Sequence, residues 1–318
     1  MPVQFVPYLI GLVQGVLVTA TSWERQFGYS HDGITRSLIK RFSWEQWIIL
    51  VVQKLFGVLA GGYLIIDDTV ITKPYAKKMR GASFVYSSLL NDTVYGYNVV
   101  FLCWSNGTIT IPLIWKWYKP NSKTKIDLAL LLLKEAKHRW KLTPEYVLFD
   151  TYYAADKLLN LIVSYRWHVV GQLKSNRIIS AAPIKEDLTQ DGDCLIGCVS
   201  DHMKGRIVRH DKNFFFTSDL TLTSDEIVTL YEKRWPIEEV FRFLKTELRL
   251  EACQARTKQA QKTHLASCVI AYMVFQKEQQ IKKNETIYSI RRSWQIDRRL
   301  GRNQINHYVK VLGLNAYC

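Results

Sequence analysis

Two aspartates stand where the sequence predicts oxygen ligands for a hard metal cation. Asp67 follows the short apolar run 63–66, and Asp150 follows the apolar run 146–149. Such runs predict buried strands, and in open α/β sheets ligand groups gather beyond the carboxyl ends of the strands. Two carboxylates placed there can share Mg²⁺, which prefers oxygen ligands. From these positions alone, capping of a loop or a structural salt bridge is the alternative.

A predicted helix over 224–249 supplies a third carboxylate, Glu238. At about 100° per residue, one narrow polar stripe of this helix holds the side chains of Tyr231, Arg234, Glu238, Arg242 and Lys245. The opposite side is apolar and holds Val240, Phe241, Leu244 and Leu248. Pro236 predicts a kink or a split into two helices. The same spacing also fits a solvated face with Glu–Arg pairs at i,i+4.

The string Tyr231-x-x-Arg234-x-x-x-Glu238-x-x-x-x-x-x-Lys245 resembles a known signature. It is similar to the Tyr-Arg-Glu-Lys signature of a group of bacterial insertion-sequence transposases in the DDE superfamily. The strand ends at 66–69 and 148–150 resemble the two aspartate motifs of that group, and the similarity covers roughly 63–275.

This resemblance implies a ribonuclease-H-like fold with a catalytic, metal-binding triad of Asp67, Asp150 and Glu238. It further implies that Tyr231, Arg234 and Lys245 contact DNA phosphates, as these side chains suit such contacts. The Asp-x-Thr pattern of the group favours Asp67 as the first metal ligand. The adjacent Asp68 is the alternative for that position.

The activity implied is metal-dependent DNA strand cleavage and strand transfer during transposition of an insertion sequence. Two Mg²⁺ ions are expected, with Mn²⁺ able to substitute, and together they would assist an in-line phosphoryl transfer. The expected partner is the double-stranded DNA at the ends of the protein's own element, bound by a homodimer. The alternative function is a DNA-binding protein, derived from a transposase, that has lost catalysis.

The elements that must position these residues alternate in type. Strand, hairpin, helix, strand, helix and strand follow one another over 63–173, which predicts an α/β fold with a mixed sheet and flanking helices. A β-rich insertion is expected at about 174–220, with strands near 177–179, 194–199, 206–209 and 214–217. The predicted domains are a helical N-terminal segment over 1–60, the catalytic domain over 61–275 and a basic C-terminal tail over 276–318. The N-terminal segment is a candidate for DNA binding, with an ordinary amphipathic helix as the alternative.

Charge supports a polyanionic partner. The chain carries 43 Lys and Arg against 28 Asp and Glu, a net charge of +15, and residues 251–318 hold over half of that excess. In this stretch Arg291, Arg292, Tyr288 and Trp294 suggest a surface for nucleic acid, or else a solvated helix face. Scattered cysteines favour a reducing compartment, and interrupted apolar runs argue against a membrane segment, so we expect a cytoplasmic protein.

Overall fold

The computed structural model describes most of the chain: residues 5–15, 19–28, 30–76, 78–87, 90–179 and 182–313. By contacts between Cα atoms it divides into two compact units. The first unit is Met1–Val58, Val70–Tyr97 and Glu239–Cys318, and the second unit is Leu59–Thr69 and Asn98–Glu238. The domain boundaries expected from the sequence stay predictions. Within the described ranges, no helix is long and apolar enough to cross a membrane.

The strands of the described ranges are β1 (Tyr63–Thr72), β2 (Ser83–Ser87), β3 (Asp92–Ser105), β4 (Thr110–Tyr118), β5 (Tyr146–Phe149), β6 (His168–Leu173), β7 (Cys194–Ser200), β8 (Met203–His210) and β9 (Asn213–Thr217). The helices are α1 (Phe5–Gln14), α2 (Ala20–Phe27), α3 (His31–Ile39), α4 (Trp44–Phe56), α5 (Lys125–His138), α6 (Asp156–Ser164), α7 (Ile184–Asp187), α8 (Ser224–Glu232), α9 (Pro236–Thr246), α10 (Lys258–Ile281), α11 (Ile287–Ile296) and α12 (Arg298–Val311).

The second unit is built on a mixed sheet, as the sequence predicted. Its strands follow the order β4-β3-β1-β5-β6-β9-β8-β7. The pairs β1–β5 and β5–β6 are parallel, whereas β3–β4, β6–β9, β9–β8 and β8–β7 are antiparallel. The central strands are apolar because both of their faces are covered, and Val147, Leu148 and Phe149 of β5 are fully buried. This arrangement is a ribonuclease-H-like fold.

Local signals in the sequence explain where the elements of this unit begin and turn. Helix α5 begins with a capping box in which Thr124 and Asp127 satisfy each other's backbone N–H groups. The predicted hairpin is formed by β3 and β4. In its loop the Asn106 side chain accepts hydrogen bonds from the backbone of Thr108 and Ile109, and Gly107 takes the left-handed conformation at φ 87°.

The insertion before α8 differs from its prediction at one place. Strands β7, β8 and β9 confirm three of the four expected strands. The expected strand at 177–179 is wrong, because Ile178 forms only an isolated bridge with Pro183. Proline lacks the N–H that a longer ladder requires, and the chain turns into the short helix α7 instead.

The first unit is mainly helical, and α10 is its central element. Helix α10 contacts α1, α3, α4 and α11, and it is buried along most of its length. The basic stretch near the C-terminus belongs to this packing. Trp294 and Arg291 of α11 are 0% and 2% exposed, so the interpretation of these two side chains as part of a nucleic-acid surface is wrong. Ile287, Ile290 and Trp294 recur at helical spacing, and this apolar stripe explains their burial.

Candidate active site

Asp67 and Asp150 lie side by side at one edge of the central sheet. The parallel register of β1 with β5 ends at the pair Ile66↔Phe149, so both aspartates are the next residues of their strands. The prediction that the first strand ends at 66 was wrong, since β1 continues to Thr72. It does so because β3 remains its neighbour after β5 has ended. Asp67 therefore has an extended, hydrogen-bonded backbone.

The Asp67 carboxylate is nearly enclosed, at 17% side-chain exposure. Its Oδ1 accepts a hydrogen bond from the backbone N–H of Asp68 at 2.7 Å. Burial, and next the negative charge of Asp150, raise the pKa of Asp67 to about 7, although the nearby Arg234 works in the opposite direction. The arrangement places more negative charge in this position than the protein's own cations neutralise.

Asp150 sits at the start of a short 3₁₀ turn, Thr151–Tyr153. Its Oδ1 accepts a hydrogen bond from the backbone N–H of Tyr152 at 3.0 Å, which fixes the carboxylate as the cap of that turn. Burial raises the pKa of Asp150, while the backbone N–H of Tyr152 and the charge of Arg234 lower it. The loop-capping role predicted as the alternative is therefore present, and it holds the carboxylate in one orientation at the strand end.

Glu238 is joined to Asp67 through a shared arginine. Arg234 lies in the turn between α8 and α9, where the helix predicted over 224–249 splits at Pro236. Its Nη1 donates to Asp67 Oδ2 at 3.2 Å, and its Nη2 donates to Glu238 Oε1 at 2.7 Å. The i,i+4 pair that the sequence left open is therefore formed, and the same guanidinium links the two outer members of the predicted triad.

Two of the three residues predicted to contact DNA, Tyr231 and Arg234, lie in the second unit. The Tyr231 hydroxyl donates to Gln172 Oε1 at 3.2 Å, and the Arg234 guanidinium lies 5.5 Å from the centre of the Tyr231 ring. Lys245 belongs to the first unit, where it lines a cavity. Burial lowers the pKa of the Lys245 ammonium. The apolar side predicted for this helix is confirmed, because Val240 and Leu244 are fully buried.

Asp68 has surroundings unlike those of Asp67. Its Oδ2 accepts hydrogen bonds from Asn98 Nδ2 at 2.7 Å and from Lys125 Nζ at 2.6 Å. Its Oδ1 accepts from the hydroxyl of Tyr153 at 2.8 Å. Sequence reasoning missed this network, since its members are far apart in the chain. With both oxygens bound by protein donors, Asp68 is better suited to a structural role than to a metal ligand.

The donor set can be compared with what a divalent cation requires. Mg²⁺ takes oxygen ligands and is usually held by one or two carboxylates. The neighbouring Asp67 and Asp150 fit this requirement, and the Arg234 guanidinium already stands beside Asp67 as a cation. Glu238 is held by Arg234, and across the described ranges no three His, Cys, Asp or Glu side chains form a group arranged to hold a metal ion. The three carboxylates of the predicted triad therefore do not form a metal-binding group while Arg234 bonds to Asp67 and Glu238.

Sequence comparison establishes the family. Residues 61–274 match the family described as transposase DDE domain. This match spans well over half of the chain, from the start of the second unit into α10. The chain therefore belongs to this family of transposase DDE domains, within the DDE superfamily.

One curated sequence and one solved structure are similar to this chain. A protein of Synechocystis sp. (strain ATCC 27184 / PCC 6803 / Kazusa) that carries the name of a transposase for insertion sequence element IS4SA is 28% identical over 120 residues. That alignment covers 34% of this chain and 33% of the relative, so the match spans about a third of its length. A cryo-EM structure of the piggyBac transposase synaptic complex with hairpin DNA has a similar fold, with TM-score 0.57 and 12% identity over 99% of this chain and 72% of that one.

Proposed function

We propose that this chain catalyses metal-dependent cleavage and transfer of DNA strands, with Asp67, Asp150 and Glu238 as its metal ligands. One observation carries the proposal: two half-buried aspartates are adjacent in register at the end of parallel pairing, and an arginine joins one of them to Glu238. Buried carboxylates with raised pKa values, gathered in one place, are typical of functional sites.

The residues would divide the work as follows. Divalent ions, Mg²⁺ or Mn²⁺, would supply a nucleophile of lowered pKa and would stabilise the leaving oxygen. Asp67 and Asp150 would hold the ions, and Glu238 would join them on exchanging its bond to Arg234 for a metal. Arg234, once released, carries a planar guanidinium that suits a DNA phosphate. Asp150 would stay oriented throughout by its bond to the backbone of Tyr152.

The proposed substrate is the double-stranded DNA at the ends of the protein's own element, with the protein bound as a homodimer. The net charge of +15 supports a polyanionic partner. Family membership supports transposition as the process, and the piggyBac relative is known from a complex with hairpin DNA. Tyr231, Arg234 and Lys245 are the proposed phosphate contacts, and action in the cytoplasm stays a prediction.

The test is strand cleavage of DNA that carries the flanking ends of the element, with Mg²⁺ and with EDTA. Asp150→Asn and Glu238→Gln keep the size of each side chain but remove its charge. Cleavage should fall by orders of magnitude in both variants, because nucleophile formation and leaving-group stabilisation are lost together. DNA affinity in EDTA should stay level or rise, since negative charge near the phosphates has been removed.

Matched controls are available on exposed positions of the same unit. Asp225→Asn and Glu232→Gln make the same chemical changes at exposed side chains of α8, and both should cut like the wild type. Cleavage that persists in Asp150→Asn and Glu238→Gln would overturn the ligand assignment. A wild type that binds its DNA ends but never cuts would favour the alternative, a DNA-binding protein without catalysis.

A further inference from the structure

A second polar region lies in the first unit, in a cavity of about 1090 Å³. The segment that follows β1 forms one side of it, and residues 245–256 form the other. Its size lies just above the range for pockets that take small organic ligands, roughly 300–1,000 Å³. Nothing in the catalytic proposal uses most of its side chains.

The cavity carries a strong excess of positive charge. In the described part of the chain, five cationic side chains line it, and they are Lys73, Lys78, Lys245, Arg249 and Arg256. The lining residues include a single acid, Glu251, whose Oε1 already accepts hydrogen bonds from the backbone N–H and the hydroxyl of Thr72 at 2.8 and 2.9 Å. The Glu251 charge is therefore partly engaged, and the cavity attracts anions.

Most of these cations have unused donors. Lys73 is the exception, because its ammonium donates to the backbone carbonyls of Glu251 and Cys253 at 2.7 and 3.0 Å. Among the residues that the structure describes, the other four cations form no ion pair with an acid. Lys78 and Arg256 are exposed, whereas Lys245 and Arg249 are half-buried. Lys245 is attracted by the charge of Glu251 without forming an ion pair with it, and an anion that joined the two half-buried cations would offset the cost of their burial.

The cavity also has apolar lining residues and one exposed aromatic ring. Met79, Cys253 and Pro74 contribute apolar lining. Tyr75 also lines the cavity and is 97% exposed. An exposed aromatic ring together with cations is the combination on which unpaired nucleic-acid bases stack.

Hydrogen bonds fix the rim, so the cavity is part of the fold. The backbone N–H of Arg80 donates to the carbonyl of Arg256 at 3.1 Å, which ties the two sides together. The hydroxyl of Tyr97 donates to the Arg80 carbonyl at 3.1 Å. On the other side Gln261 Nε2 donates to the carbonyls of Cys253 and Ala255.

We propose that this cavity binds an unpaired strand of DNA, with its phosphates on Lys78, Lys245, Arg249 and Arg256 and a base against Tyr75. The inference rests on the proposed function, in that it assumes DNA to be the substrate. A duplex presents phosphates on a wide convex surface and keeps its bases stacked inside, so it matches the cations but not the apolar walls. An unpaired strand offers both a charged backbone and an open base to a concave site.

The test measures anisotropy of a labelled oligothymidine strand and of a duplex of equal length, in EDTA over a range of KCl concentrations. All proteins carry Asp150→Asn, so that cleavage plays no part in the result. Lys78→Ala combined with Arg256→Ala should lower the salt slope for the single strand by about 1.4, at about 0.7 for each phosphate contact. Tyr75→Ala should weaken single-strand binding by roughly tenfold at an unchanged slope, because stacking is not ionic.

Matched controls remove equivalent groups outside the cavity. Arg25→Ala with Lys54→Ala takes away two exposed cations of the same unit, and Tyr86→Ala takes away another exposed ring. These variants should bind the strand within about twofold of their parent. Because all substituted side chains are exposed, melting temperatures should match and confirm that folding is intact.

The outcomes separate this proposal from the catalytic one. Single-strand binding that is unchanged in the cavity variants, or no more affected than in the controls, would overturn the cavity assignment while leaving wild-type cleavage untouched. Equal losses for duplex and single strand would also overturn it and would indicate a duplex surface. Displacement of the labelled strand from the cavity by excess ATP would overturn the proposal as well. It would indicate a pocket for a free nucleotide.

Discussion

Two polar regions, each of which includes residues of β1, have an excess of opposite charge: one is acidic and the other is basic. Around Asp67, one arginine bonds to two carboxylates and attracts a third, and burial raises the pKa of Asp67 to about 7. At the end of β1, Thr72 borders a cavity in which five cations meet one acid. Each region lacks the charge of the ligand that we propose for it: a divalent cation at the carboxylates, and DNA phosphates in the cavity.

A contrast on a smaller scale separates Asp67 from Asp68. Successive side chains of a strand point to opposite faces, and the two faces here differ in their donors. Asp68 is satisfied by Asn98, Lys125 and Tyr153, whereas Asp67 has one backbone N–H and a shared guanidinium. The comparison teaches that a carboxylate with incomplete partners, and not merely a buried one, is the better candidate for a ligand.

The largest effect is expected at Asp68. Asp68→Ala would remove the acceptor of three hydrogen bonds and leave the half-buried Lys125 ammonium without its partner. Loss of such a partner costs about 3 kcal/mol of unfolding free energy. Urea denaturation measures this, with Asp92→Ala at an exposed position as the control that should change little. A loss no larger than that of the control would break the contrast between the two aspartates.

Asp67 should behave in the opposite way. Its pKa is raised in the folded protein, so the fold favours the protonated acid, and ionisation costs stability as pH rises from about 4 to above 7. Asp67→Asn removes this cost and should stabilise the metal-free protein by about 2 kcal/mol at pH 8. At pH 4 the gain should nearly vanish. Melting curves in EDTA at the two pH values check this, and a destabilised Asn variant at pH 8 would show a structural role.

The smallest effect is expected from the acid in the cavity. Glu251→Gln keeps an oxygen that can accept from Thr72, but it removes the one negative charge among the cavity's lining residues. Single-strand DNA should then bind roughly two- to threefold more tightly at low salt, and the difference should fade as KCl screens the charges. Anisotropy titrations measure it. Weaker binding in the variant would mean that Glu251 itself contacts the ligand.

Much of this site follows from local patterns in the sequence. Apolar runs predict β1 and β5, and the parallel order brings Asp67 and Asp150 together without further information. Helical spacing predicts the polar stripe of Glu238, and Pro236 predicts the split between α8 and α9. The family signature adds the roles of Tyr231, Arg234 and Lys245, which remain proposals.

Other features depend on contacts that no local pattern encodes. Arg234 bonds to Asp67 across 167 residues of chain, and Asp68 meets Lys125 across 57. The charges that flank Trp294 in the sequence indicate an exposed surface. The apolar stripe that Trp294 forms with Ile287 and Ile290 predicts its burial instead, and burial is what the structure shows. The cavity likewise joins two distant segments, and only the fold brings Tyr75 and Arg256 to the lining of one cavity.

The central claim is that Asp67 and Asp150 hold a divalent metal ion and Asp68 does not. Binding of Mn²⁺, followed through the electron paramagnetic resonance signal of the free ion, tests it without DNA or cleavage. The wild type should bind Mn²⁺, Asp67→Asn and Asp150→Asn should each weaken binding by at least about tenfold, and Asp68→Asn and Asp225→Asn should bind like the wild type. Equal binding by the wild type, Asp67→Asn and Asp150→Asn would contradict the account.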